Sequence, residues 1–277
     1  MKKIILSLSV VAAVAVVVVG ATTAFFSDTE TSTGNTFTAG SIDLKVDNEC
    51  NWSGGDGCPW QNVNGQQASW QETDLEGGVH KFVNFTDLKP GDSGEDTISL
   101  HVYDNDAWGK WRWLMNNNAD NTCTEPELEA EPLCEVDLSI GELLANMDFE
   151  MWLDQGSTPG FQNGGTVIVD LEEGDNIRQD GEPEISLSTE MPLSPVLADA
   201  WGDDCNSAEF SPDGHNEYGE CHGLAQDGRM VGSTTYYFGF AWEFDEDAGN
   251  EAQTDSLGGD IEFKVVQHRN NPTQSGL

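Results

Sequence analysis

The chain has 277 residues, 37% hydrophobic and 9% aromatic with nine Trp, which is enough apolar material for a core and excludes pure disorder. Its 50 Asp and Glu against 11 Lys and Arg give a formal charge of −39, which argues against nucleic acid and anionic lipid, since both are bound through Lys and Arg. Like charges at this density repel, and in roughly 1 M salt the Debye length is only about 3 Å, so the composition suits a saline medium or bound cations.

The first element is a targeting segment. Lys2 and Lys3 precede an apolar run from Ile4 to Val19, followed by Gly20-Ala21-Thr22-Thr23-Ala24. A positive start, an apolar stretch and a small-x-Ala site make a secretory signal, with cleavage expected after Ala24. The run falls short of the ~20 residues of a spanning helix. Read through to Phe26 it would reach that length, so an uncleaved anchor is the competing reading. No second long apolar run follows. The expectation is a secreted protein of the cell surface or extracellular matrix, handled by signal peptidase during export and without a stable membrane span afterwards. Loss of Lys2 and Lys3 leaves the remainder still more acidic.

Short β-runs follow, separated by acidic, Gly-, Asn- and Asp-rich loops. Residues 41–46 alternate with period two, as a half-buried strand does. Residues 81–85 read as a strand before the turn Leu88-Lys89-Pro90-Gly91-Asp92. Strands are expected at 96–103 and 108–114. Ser139 and Glu142 have capping-box spacing and open a short helix to about Met147. Strands at 148–153 and 166–171 come next, then a second short helix over 194–201. The clearest strands are 234–244 and 259–267. This pattern predicts an all-β, jelly-roll-like sandwich with long acidic loops and one or two short helices. With no linker or internal repeat, 41–277 reads as a single domain.

Six cysteines in a secreted chain read as disulfides. The expected pairs are Cys50–Cys58, Cys123–Cys134 and Cys205–Cys221, because each brackets a loop rich in turn residues. No C-x-x-C is present, which speaks against a thiolate metal site. The five histidines include no H-E-x-x-H. His215 and His222 with Glu217 and Glu220 form the one local cluster, in a loop where exposed polar residues are ordinary. No nucleophile elbow or phosphate loop occurs, so no catalytic residue is assigned. No motif requires a cofactor. Ca²⁺ is the metal that acidic loops suit, with Asp245, Asp247, Asn250 and Glu251 the best candidate ligands. Asp104 with Asp106 and the acidic stretch 170–182 are further candidates, although a chain with 50 acids makes such clusters by chance. Asn51 and Asn84 head N-x-[ST] sequons, acceptors in a host that glycosylates. Trp108, Trp111 and Trp113 read as core or, less readily, as a sugar-stacking platform.

Three blocks carry a family resemblance. Ala24-Phe25-Phe26-Ser27-Asp28, with Asn35–Gly40 and Ile42-Asp43-Leu44, resembles the mature start of the TasA/camelysin family of secreted biofilm-matrix fibre proteins, which has archaeal bundling-pilus relatives. Phe85–Asp92 is similar to the family's L-K-P-G-D turn. Trp242–Phe244 through Ala248–Glu251, with Asp255 and Ser256, resembles the end of related chains. The resemblance implies a jelly-roll subunit that polymerises by donor-strand exchange, with residues 25–40 of one copy entering a groove in the next. Phe25, Phe26 and Phe37 would anchor that segment, and the partners would be further copies and a minor matrix component. The camelysin branch carries a metallopeptidase label, which the missing zinc motif does not support. Two other readings stay open. Residues 25–40 could be the first strand of their own subunit, and the protein could be a monomeric surface module for Ca²⁺ or carbohydrate.

Overall fold

A computed structural model describes residues 41–53, 57–134, 136, 140–161, 170–187, 190–202, 205, 221–269 and 271–277. The signal segment, the 25–40 segment, and His215, Glu217 and Glu220 lie outside these. Residues 40–277 form one compact unit. Eight strands run in chain order: β1 (Asp43–Trp52), β2 (Trp70–Thr73), β3 (Ser93–Tyr103), β4 (Ala107–Ala119), β5 (Met147–Leu153), β6 (Met191–Pro192), β7 (Thr234–Phe244) and β8 (Ser256–Gln267). Two α-helices, α1 (Glu125–Ala130) and α2 (Ser194–Trp201), and 3₁₀ turns at Leu143–Asn146 and Asn250–Ala252 complete the described elements.

The strands form an all-β sandwich. A five-stranded sheet has the order β2-β1-β3-β7-β5 and a three-stranded sheet the order β6-β4-β8, with antiparallel pairing throughout. Period-two alternation sets what each strand buries. In β7 it turns Tyr236, Phe238, Phe240, Trp242 and Phe244 inward. In β3 it turns Ile98, Leu100 and Val102 the same way, and Ile98 stands opposite Phe238 in the ladder. The second sheet answers with Trp111 and Trp113 of β4, and Trp113 lies 5.2 Å from Phe240 between ring centroids. Phe263 of β8 reaches Phe238 at 6.3 Å. The tryptophan pair is therefore core, and Trp108, on the other face of β4, packs on His268.

Glycines make room for two of these rings. Gly239 of β7 stands opposite Trp152 of β5, and the indole lies over it where any Cβ would collide. Gly94 of β3 does the same for Trp242, whose ring atoms come within 2.6 Å of an added Cβ.

Edges are covered unequally. Beside β5, Leu153 N donates to Pro183 O and Ile185 N to Met151 O, so that edge is capped. β2 ends the large sheet with four residues. β6 covers only Lys110 and Trp111 of β4. No strand among the described residues pairs with the outer edge of β8, which is twelve residues long. An open edge of that length is a pairing site.

Three expected elements are not found as read, and β2, α1 and β6 were not anticipated. Residues 81–85 are not a strand, because Phe82 and Phe85 turn into the core and an aromatic cluster and their backbone follows the rings. The helix expected over 139–147 is a 3₁₀ turn at Leu143–Asn146 leading into β5. Asp170 and Leu171 are in a loop, and 166–169 lie outside the described residues.

Candidate functional site

A groove of about 1010 Å³ opens between the two sheets. Segment 81–90 forms one wall, the start of β8 another, and β4, β5 and β7 the floor. Phe85, Trp113, Met115, Phe149, Trp242 and Leu257 give it an apolar lining. Aromatic packing fixes that lining, since Phe85 sits 4.6 Å from both Trp60 and Trp242, and Trp113 sits 5.1 Å from Phe149. The Leu88–Asp92 turn holds the wall, with Asp92 Oδ2 accepting from Lys89 N at 2.8 Å and Gly91 N donating to Phe244 O. The groove thus joins an apolar cleft to the start of the open β8 edge. An extended peptide bound there could pair its backbone and bury alternate side chains together.

Three disulfides close within the chain: Cys50–Cys58, Cys123–Cys134 and Cys205–Cys221. The first is part of a small cluster with Trp60 and Ala68 behind Phe85, so it backs the groove wall. Asn51 is exposed on β1. Asn84 is half-buried at the groove, where Nδ2 donates to Gln66 Oε1 at 2.9 Å.

The four expected calcium ligands follow one turn after β7. Asp245, Asp247 and Asn250 are exposed, and the side chains satisfy their own turn. Asp245 Oδ1 accepts from Asp247 N, Glu251 Oε1 from Gly249 N, and Asn250 Oδ1 from Gln253 Nε2. Asp245, Asp247 and Glu251 do not converge as a ligand group. Asp106 is used by Arg229 and by Gly232 N. Asp170 caps Thr158 N and Glu172 N, bonds that outweigh its burial and hold its carboxyl below the ordinary value.

Deeper in the same loop region, Asp154 accepts from Gly174 N and Asn176 N, and Glu182 from Gly156 N and Gln179 N. Burial dominates these bonds and pushes Asp154 up to about 6 and Glu182 up to about 7. They knit the 154–160 and 174–182 segments together.

Among the described residues, two groups have metal-ligating atoms in reach of one another: Asp120 with Cys123 and Cys134, and Asp120 with Glu127 and Asp255. The two sulfurs are bonded to each other and are not thiolates. Sequence reading missed the carboxylate group because Asp255 is 135 residues from Asp120 and only β4–β8 pairing brings it to Asp120 and Glu127. One local signal was present, the Thr124-x-x-Glu127 capping box that starts α1.

Residues 1–52 match the family model of camelysin metallo-endopeptidase, a span that ends with the last residue of β1. No curated protein matches the chain. The described residues do not fit a peptidase zinc, which takes His with carboxylate or Cys and keeps an open position. His80 Nδ1 takes a bond from Glu76 N, His101 is beside Asp47 and Thr235, His222 is at Phe161 O, and His268 is at Asp227. These four lie apart, and neither ligand group contains one. Among the described residues, no helix is long and apolar enough to cross a membrane. Over residues 1–52 the chain is thus similar to the camelysin family.

Proposed function

We propose that this protein is a secreted structural subunit of an extracellular filament or biofilm matrix, and that it has no peptidase activity. Residues 25–38 of one copy serve as a strand for the next. The observation that carries this reading is the open β8 edge beside an apolar groove, in a chain whose first 52 residues match the camelysin model.

The dimensions agree. Twelve residues of β8 span about 40 Å at ~3.3 Å per residue, and the fourteen residues 25–38 are long enough to run beside them. The segment is rich in Thr and Ser, with Phe25 and Phe37 on one face when extended and Phe26 on the other. Backbone bonds to β8 supply affinity, and phenylalanines in the groove supply register. A strand that enters another copy relieves the open edge and builds a head-to-tail polymer. Other copies are the main partner. A minor matrix component would bind at a filament end.

The test uses the full mature chain with Phe26→Ser and Phe37→Ser. Electron microscopy should show filaments for the parent and none for the variant, while circular dichroism shows the same β content in both. Loss of β content in the variant would instead mean that 25–40 is a strand of its own subunit. A folded parent that never assembles would favour the monomeric binding module.

A further inference from the structure

Three carboxylates meet at the end of the three-stranded sheet with no cationic side chain beside them. Asp120 follows the last residue of β4, Glu127 lies in α1, and Asp255 precedes β8. One oxygen of each lies within 4.8 Å of those of the other two. Asp120 is 2% exposed and Glu127 0%. Asp120 Oδ1, Glu127 Oε1 and Asp255 Oδ1 are all buried without a hydrogen-bond donor.

The second oxygens are used differently. Glu127 Oε2 accepts from Thr124 N at 2.9 Å, and Asp255 Oδ2 accepts from Glu142 N at 2.5 Å and Leu143 N at 2.8 Å. Asp120 Oδ2 lies 3.1 Å from Cys134 Sγ, a disulfide sulfur with no proton to donate. None of the ion pairs among the described residues includes any of the three. Burial raises the carboxyls of Glu127 and Asp255, and the charge of Asp120 adds to it. Buried carboxylates persist in folded proteins when they are paired or coordinate a metal.

Geometry and donor chemistry select the metal. Two oxygens on one Ca²⁺, each at about 2.3–2.6 Å, stand at most ~5 Å apart, so a 4.8 Å spread fits one shared ion. The donors are all oxygen, which suits a hard cation and not zinc. Carboxylates brought from three separate segments suit the flexible shell of Ca²⁺ better than the strict octahedron of Mg²⁺.

We infer that Asp120, Glu127 and Asp255 bind one Ca²⁺ that ties the end of β4, helix α1 and the start of β8 together. The surrounding loops are already held for it. The Cys123–Cys134 disulfide brackets α1, Asn121 Nδ2 donates to Thr254 O, and Thr124 Oγ1 bonds to Gln253 Oε1. Thr254 and Asp255 also line the groove, so the ion stiffens one of its walls. The site is complete within one chain and stands whether or not the protein polymerises.

The mature chain is stripped with EDTA and melted in concentrated NaCl with added CaCl₂ or MgCl₂ at matched ionic strength. Calorimetric titration should find one Ca²⁺ per chain, and Tm should rise by roughly 5–10 °C at a hundredfold excess over Kd. Asp120→Asn with Glu127→Gln should abolish the response and melt higher than the parent in EDTA, since the buried repulsion is gone. Asp255→Asn, which leaves both fully buried acids in place, should weaken binding at least tenfold. A parent whose Tm is unmoved by Ca²⁺ would overturn the site, as would an equal response to Mg²⁺ or a double variant that still responds.

Discussion

Asp154 and Glu182 show how single buried acids tune this molecule. Each takes two backbone N–H bonds, yet burial wins and their carboxyls rise to about 6 and about 7. In the fold they hold protons up to those values, whereas unfolded they ionise near pH 4. Stability from this pair is therefore full below about pH 4 and is lost as pH rises through about 6 and 7. Melting in concentrated NaCl, which screens the general repulsion, should give a lower Tm at pH 8 than at pH 5. Glu182→Gln should flatten that difference, and a variant with the parent's full pH dependence would refute the assignment. Asp96 is a third case, on the core face of β3 in line with Ile98 and Leu100. Its Oδ1 accepts from Asn48 Nδ2 while Oδ2 has no partner, and burial raises its carboxyl well above the ordinary range. Period two explains why it points inward, but its pairing with Asn48 on β1 is not visible in a local pattern.

Elements with strong alternation were legible in the sequence. Residues 234–244 and 194–201 are found as β7 and α2 with the expected bounds, and β3, β4, β5 and β8 extend their expected cores. The failures have two causes. Segment 81–85 carries strand-like residues, but Phe82 and Phe85 pack in different aromatic clusters, and tertiary contact overrides propensity. Helix α1 was overlooked although Thr124 and Glu127 make both capping-box bonds, because an acidic six-residue helix has no apolar periodicity. Its stability must come from its surroundings, chiefly the Cys123–Cys134 bridge. Replacing both of these cysteines with Ala should cost about 3 kcal/mol, the loop-closure value for a separation of 11 residues. Denaturant melts check this, and a loss below roughly 1 kcal/mol would show that α1 holds without its staple.

At the scale of the whole molecule, the charge of −39 and the open β8 edge bear on each other. In the proposed filament, stacking acidic subunits head to tail would concentrate like charge, so assembly would depend on screening or on cations at the interface. The same repulsion discourages promiscuous edge pairing at low salt, much as charged residues guard edges in other β proteins. The fold class could be read from the sequence, whereas the groove could not. Its lining comes from five stretches of chain that only the sandwich brings together. The central claim is that residues 25–38 of one copy complete the β8 edge of another. The most direct measurement is an electron cryo-microscopy structure of filaments grown from the mature chain in concentrated NaCl. It should show residues 25–38 as a strand along β8 of the neighbouring subunit, with phenylalanine side chains in the groove between Phe85, Trp113 and Trp242. Filaments in which that segment pairs within its own subunit, leaving the β8 edge to other contacts, would contradict the account.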